Sequence, residues 1–230
     1  MFTFSPLETE ALMLSLRVAL WAVAVCLPTG LLTALVLARC RFKGVIVLDG
    51  LVHLPLIVPP VVIGYVLLVV LGRRGIVGEW LFETFGWSIA FTWKGAAVAA
   101  AIMAFPLMVR SIRLALEGVD GKLEEAARTL GANRFWVFVT ITLPLIVPGL
   151  MTGVILAFAR SLGEFGATIT FVSNIPGETR TLPLALYSVI QTPGGENAAL
   201  RLVVISVVLA MSALILSEIL TRRGRRRREG

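Results

Sequence analysis

The chain has 230 residues, of which 57% are hydrophobic and 15% charged. Soluble domains carry about 25% charged residues, so the composition excludes an ordinary soluble domain and points to an integral membrane protein. The net charge of +7 is concentrated at one end, because six of the 21 Lys and Arg residues lie in the tail RRGRRRR, Arg222–Arg228. Such a tail reads as an anchor on anionic lipid rather than as a nucleic-acid-binding run.

Ahead of the first apolar segment stand Glu8 and Glu10 with only Arg17, the wrong charge for a signal peptide. Arg39 likewise breaks the small-residue box that would make Cys40 a lipidation site, so neither a cleaved signal nor a lipid anchor is expected. Val18–Ala38 runs 21 residues without a charge, and Leu51–Leu71 another 21 with only His53, each long enough to cross a bilayer as a helix. Cys26 and Cys40 fall toward opposite ends of the first of these spans, too far apart to bridge on one helix. Gly95–Val109 extends to Leu116 if Arg110 and Arg113 snorkel. Pro148 to Val172 and Leu202–Ser217 complete an all-α, single-domain chain of about five spans, near 11–38, 48–71, 95–116, 148–172 and 198–220, with a loop over 117–144 and a basic tail over 221–230.

With the N-terminus outside, the inner segments hold Arg39, Arg41, Lys43, Arg110, Arg113, Lys122, Arg128, Arg134 and the six tail arginines. The outer segments hold only Arg17, Arg73, Arg74, Lys94, Arg180 and Arg201. The excess of basic residues belongs on the cytoplasmic side, so the loop over 117–144 and the tail are expected there. Of the outer segments, Gly72–Lys94 and Ser173–Asn197 are long; in the second, Leu182–Ile190 is too short to span and reads as a helix lying at or dipping into the outer face. No internal repeat is visible, which argues against a carrier made of inverted halves.

The loop contains EAARTLGANRFWVFVTITLP, Glu125–Pro144. Leu123, Ala126, Ala127 and Leu130 recur three and four apart, giving one apolar stripe that faces away from Glu124, Glu125 and Arg128. Gly131 stops or bends that helix, and a second segment brings Phe135, Trp136 and Phe138. Two short helices meeting at a glycine form a knob suited to a groove in another protein; an interfacial helix joining two spans is the plainer alternative.

There is no phosphate-binding G-x-x-x-x-G-K-S/T loop, and His53 is the single histidine, so neither a catalytic constellation nor a metal site is suggested and any energy must come from a partner. His53 reads as a packing or interfacial residue. Arg160 and Glu164 stand four apart inside a span, with Thr168 continuing their stripe. A charge at that depth costs about 2.5–3.5 kcal/mol, so the two either form a structural ion pair or line a pathway in which Arg160 attracts an anion. Gly149, Gly153 and Ala157 form a small-residue face for close helix contact, including dimerisation. Pro28, Pro55, Pro59, Pro60, Pro106, Pro144 and Pro148 recur inside apolar segments as kinks or as sources of free carbonyls.

In every fixed position, E-A-A, three residues, Gly131, nine residues, Ile141, one residue, Leu143 and Pro144, the loop resembles the signature of importer-type ABC transporter permeases. Together with Phe158–Tyr187, VHLPLIVPPVVIGY and LGRRGIVGEW, nearly the whole chain is similar to the molybdate ABC transporter permease family. The resemblance implies a homodimer in the bacterial cytoplasmic membrane, two cytoplasmic ATPase subunits that bind ATP and Mg, and an extracytoplasmic protein delivering molybdate or tungstate. It implies no cofactor in this chain and no enzymatic activity of its own. Glu125, Ala126, Ala127 and Gly131, with Glu124, Arg128, Leu130 and Ala132 beside them, would form the coupling helix that docks into the ATPase. Hydroxyls serve a tetrahedral dianion weakly enough to release it, which adds Ser161, Thr168 and Thr170 to Arg160 and Glu164 as pathway candidates. A sulfate or thiosulfate permease is the neighbouring reading. A channel or carrier working without ATP, or a membrane enzyme, fits the loop and the missing catalytic clusters less well.

Overall fold

The computed structural model describes residues 5–40 and 42–229; Arg41 and the side chains of 217 and 220–229, including the basic run of the tail, lie outside the described residues. Every regular element among the described residues is helical. Helix α1 (Pro6–Arg39) starts at a capping box, in which Ser5 Oγ accepts from the Glu8 N–H at 3.3 Å and Glu8 Oε2 accepts from the Ser5 N–H at 2.8 Å. It is followed by α2 (Val45–Ile57), α3 (Pro60–Leu71), α4 (Ile76–Phe85) and α5 (Trp93–Glu117). The loop carries α6 (Gly121–Thr129) and α7 (Arg134–Val137), which continues through a π-helical turn, Phe138–Thr142, into α8 (Leu143–Leu162). Then come α9 (Gly166–Val172), α10 (Leu182–Ile190) and α11 (Glu196–Glu229).

Among the described residues four helical stretches are long and apolar enough to cross a membrane, and α2 and α3 reach that length only together, as a pair bent at a short break. The sequence predicts one span over 48–71; the structure has two helices bent by 113°. Proline disfavours the helical region for the residue before it, so Pro59 and Pro60 in succession hold Val58 at ψ 137° and Pro59 at ψ 134°. Pro28, Pro55 and Pro106 sit inside α1, α2 and α5 without ending them. The stretch predicted over 148–172 also differs. Its helix begins at Arg134 and ends at Leu162, and Gly163, Glu164 and Phe165 separate it from α9.

The centre of the fold is α5, which packs against α1, α2, α8 and α9. Ala96, Ala97, Ala99, Ala100, Ala101 and Ala104 are all buried there. Lipid tails are as apolar as leucine, so helices associate in a membrane through close packing rather than through hydrophobic burial, and alanine permits that approach. The face of Gly149 and Gly153 is spent inside the chain: a Cβ on Gly149 would land on the Ala115 Cβ, and one on Gly153 would come 3.1 Å from Met108 Sδ. Ser111 Oγ donates to the Gly149 carbonyl at 2.8 Å across the same seam.

The short helix α9 lies on α3. A Cβ on Gly64 would sit 2.9 Å from both the Ala167 Cα and the Thr170 Cβ. Gly64→Ala is therefore expected to lower the unfolding free energy by about 1–3 kcal/mol through overpacking. Thermal unfolding of the purified protein in detergent measures this, with Gly50→Ala as the control, since a Cβ there meets nothing within 4 Å.

Candidate functional site

Asp120 opens α6 by accepting from the Lys122 N–H at 3.0 Å, and the helix closes in a Schellman turn. The Gly131 N–H donates to the Arg128 carbonyl at 3.0 Å and the Ala132 N–H to the Ala127 carbonyl at 3.1 Å. This turn needs the left-handed conformation, and Gly131 has φ +90°. A Cβ there would meet nothing within 4 Å, so the dihedral angle alone calls for glycine. Two residues later Asn133 caps α7 by accepting from the Trp136 N–H at 2.9 Å.

The sides of α6 are opposite to those of a helix lying on its own core. Leu123, Ala126 and Leu130 are exposed, Leu130 at 88%, while Glu124 is buried. Glu124 Oε1 accepts from Arg39 Nη2 at 2.7 Å and from Thr142 Oγ1 at 2.6 Å, and Oε2 stands 3.5 Å from Arg128 Nη2. One carboxylate thus ties α6 to the end of α1 and to the turn ahead of α8. That turn is π-helical: the Leu143 N–H reaches back to the Phe138 carbonyl, and the next residue is Pro144, which has no N–H to give. Glu125, Arg128, Gly131, Phe135 and Trp136 are exposed around the apolar stripe, and Ala127 and Ala132 are half-buried. A charged helix turned inward through its acid and outward through its leucines leaves an exposed apolar stripe rimmed by charged residues.

Deeper in the chain, Arg160 Nη1 and Glu164 Oε2 form an ion pair at 2.7 Å, with the Glu164 side chain 1% exposed and that of Arg160 27%. Glu164 Oε1 also accepts from the Ala167 N–H at 2.8 Å, so the carboxylate caps the first turn of α9. The helix breaks at Gly163, Glu164 and Phe165, so Arg160 and Thr168 fall on different helices with Glu164 between them, which removes the single-helix stripe that the spacing predicts. Thr168 is buried in α9, and Thr170 Oγ1 donates to the Gly166 carbonyl at 2.9 Å. Ser161 Oγ is buried without a hydrogen-bond partner among the described residues. Arg160 and Glu164 are brought together, while Ser161 remains on α8 and both threonines on α9.

Several pairings escape sequence reasoning. Arg39 and Thr142 hold Glu124 from 85 and 18 residues away. Arg201 Nε binds Glu8 Oε1 at 2.7 Å across 193 residues, and Ser15 Oγ accepts the Leu182 N–H at 2.7 Å, which fixes α10 against α1. Asp49 receives Arg113 at 3.0 Å and lies 3.2 Å from His53 Nδ1. Opposite charges at the ends of different spans were the available signal. Cys26 and Cys40 are free thiols, and among the described residues no group of three or more His, Cys, Asp or Glu is placed to hold a metal.

A family model described as "Binding-protein-dependent transport system inner membrane component" matches residues 27–226. The chain belongs to this family of transport components. This transport component is 63% identical over 220 residues to the molybdenum transport system permease protein ModB of Escherichia coli strain K12, covering 96% of each chain. It is 55% identical over 217 residues to ModB of Haemophilus influenzae, covering 94% of this chain and 95% of that one. The sulfate transport system permease protein CysT of Escherichia coli is more distant, 40% identical over 196 residues that make up 85% of this chain and 69% of CysT. In fold, the component resembles a chain of a bacterial alginate ABC transporter, with TM-score 0.75 and 18% identity over 95% of this chain and 80% of that one. The MetNI methionine ABC transporter gives TM-score 0.67 and 17% identity over 95% and 94%. The architecture is that of an ABC importer permease.

Removing Arg160 leaves a buried carboxylate unpaired. Arg160→Met is expected to cost about 3–5 kcal/mol, and Arg160→Met with Glu164→Gln to recover much of it, since the uncompensated charge is then gone. Denaturation midpoints of the two variants in detergent check the pair.

Proposed function

We propose that the chain is the membrane-spanning permease subunit of an ATP-driven, binding-protein-dependent importer that carries molybdate, and with it tungstate, into the cytoplasm. The observation that carries the coupling half of this reading is the inverted helix α6, whose acid is held inside by Arg39 and Thr142 while Leu123, Ala126 and Leu130 face outward. The substrate half rests on the relatives: 63% identity over 96% of both chains to a molybdenum permease, against 40% to a sulfate permease.

In this reading a second copy of the chain completes the pathway, and two cytoplasmic ATPase subunits each receive one α6. An extracytoplasmic binding protein delivers the oxyanion to the outer segments. The bias of basic residues places the N-terminus outside and the C-terminus in the cytoplasm of a bacterial inner membrane, with the arginine tail on anionic lipid. ATP and Mg belong to the ATPases, and this subunit itself catalyses no reaction. Nucleotide-driven closure would bring the two α6 helices together and turn the pathway outward, and hydrolysis would return it, a rigid-body exchange between two states.

Glu124, Glu125, Ala126, Ala127, Arg128, Leu130, Gly131 and Ala132 form the coupling segment. Glu124 is its positioning residue, because movement of α6 reaches α1 and α8 through one carboxylate. Arg160 is the pathway candidate of most interest, because one of its guanidinium nitrogens holds Glu164 and the side chain is still partly exposed. Glu164, which also caps α9, serves as its holder. Ser161 contributes a buried hydroxyl with no hydrogen-bond partner among the described residues. Thr168 and Thr170 line the adjoining helix.

Gly131→Pro cannot adopt φ +90°, since proline is held near −65°. The variant is expected to insert normally while transport falls at least tenfold and ATP hydrolysis by the assembled complex no longer responds to the loaded binding protein. Uptake at the normal rate would remove the docking role. ATP-dependent uptake of labelled molybdate into vesicles holding permease, ATPase and binding protein is expected to be blocked by excess tungstate and not by sulfate. Suppression by sulfate would move the assignment to the sulfate branch, and uptake without ATP would end the ABC reading.

A further inference from the structure

Between the end of α1 and the loop lies a cavity of about 350 Å³ walled by Arg39, Arg128 and Arg134 together with Leu35, Val137 and Phe138. Three guanidinium groups share it with a single carboxylate, that of Glu124. The carboxylate is already engaged: Oε1 takes Arg39 and Thr142, and Oε2 faces Arg128. A guanidinium has five N–H donors, so Arg39 and Arg128 keep most of theirs. The side chain of Arg134 makes no ion pair or hydrogen bond among the described residues. The pocket therefore carries an excess of two positive charges and a large surplus of donors. Its remaining wall is apolar: Leu35 belongs to the last turns of α1, and Val137 and Phe138 to the first turns of the Arg134–Leu162 stretch, so two helical stretches long and apolar enough to cross a membrane end at this cavity.

We propose that this cavity binds the phosphate headgroup of an anionic phospholipid. Arginine pairs with phosphate oxygens through two parallel N–H bonds, and Arg134 together with the free edges of Arg39 and Arg128 offers that geometry. Leu35, Val137 and Phe138 supply the apolar flank along which the acyl chains leave. A freely diffusing phosphate would use the same arginines but has no use for the apolar flank, which is why the lipid is the occupant. Basic pockets between membrane helices are general sites for such headgroups. The consequence is a lipid wedged between α1 and α6, touching the same two arginines that Glu124 holds. The site rests on α1 crossing the membrane and not on the docking role of α6, so either reading can fail without the other.

The test is native mass spectrometry of the intact permease–ATPase complex in detergent, titrated with phosphatidylglycerol or with phosphatidylethanolamine. Each titration is repeated in a background in which the tail arginines of 222–228 are replaced by glutamine. Arg134→Gln is expected to weaken phosphatidylglycerol binding about fivefold in both backgrounds, as the loss of one basic side chain at an anionic headgroup implies. Arg134→Lys, which keeps the charge and loses the fork, should weaken it less, and phosphatidylethanolamine binding should not change. Inorganic phosphate at millimolar concentration should leave phosphatidylglycerol in place. Equal phosphatidylglycerol binding by wild type and Arg134→Gln overturns the site. Displacement of the lipid by phosphate that itself needs Arg134 overturns the lipid and makes the cavity a site for a free oxyanion.

Discussion

Close approach of helix backbones in a medium that gives apolar surfaces no reason to associate is the constraint on which this structure depends. In lipid the gain on packing comes from contact itself, and over its first half α5 achieves contact by burying a run of alanines, Ala96, Ala97, Ala99, Ala100, Ala101 and Ala104. Gly149 and Gly153 bring α8 onto it so tightly that a methyl group at the first would overlap Ala115. Gly64 does the same for the crossing of α3 and α9. The glycine face on α8 is therefore consumed within the subunit.

On that frame stand three buried carboxylates among the described residues, each held by an arginine. Glu8 ties the start of α1 to Arg201, Glu124 ties the end of α1 to the loop, and Glu164 ties α8 to the start of α9. Isolated, any of these charges would be costly to bury; paired and hydrogen-bonded, each specifies which ends of which helices meet. Both ends of α1 are fixed in this way, which makes it a strut between the two faces of the molecule. Movement of α6 would reach the strut through Glu124 and Arg39 without passing through the alanine-packed centre.

The loop obeys a different logic. A helix resting on its own protein buries its leucines, whereas α6 buries a glutamate and exposes Leu123 and Leu130. The glutamate is stabilised by charge and hydrogen bonds from inside, and the leucines are left exposed. The Schellman turn at Gly131 and the π-helical turn before Pro144 then return the chain to the membrane at a fixed distance. Spacing in this loop is thus a record of backbone geometry: one residue must have positive φ, and another must lack an N–H just where the helix widens.

The sequence by itself determined the all-helical membrane fold and its roughly five crossing units. It also determined the amphipathic helix ending at Gly131 and the short helix over Leu182–Ile190, because hydrophobic runs, 3.6-residue periodicity, prolines and glycines act within a few residues of where they stand. Tertiary structure alone decided the 113° bend at Pro59–Pro60, the break at Glu164 that separates Arg160 from Thr168, and the partners of Glu8, Glu124 and Gly149. A proline signals a kink, but its angle is set by what the two halves pack against. A glutamate signals a charge, but whether it is buried depends on an arginine 85 or 193 residues away. Lipid-facing and helix-facing surfaces are equally apolar, so hydropathy counts the spans and is silent on which sides of them touch.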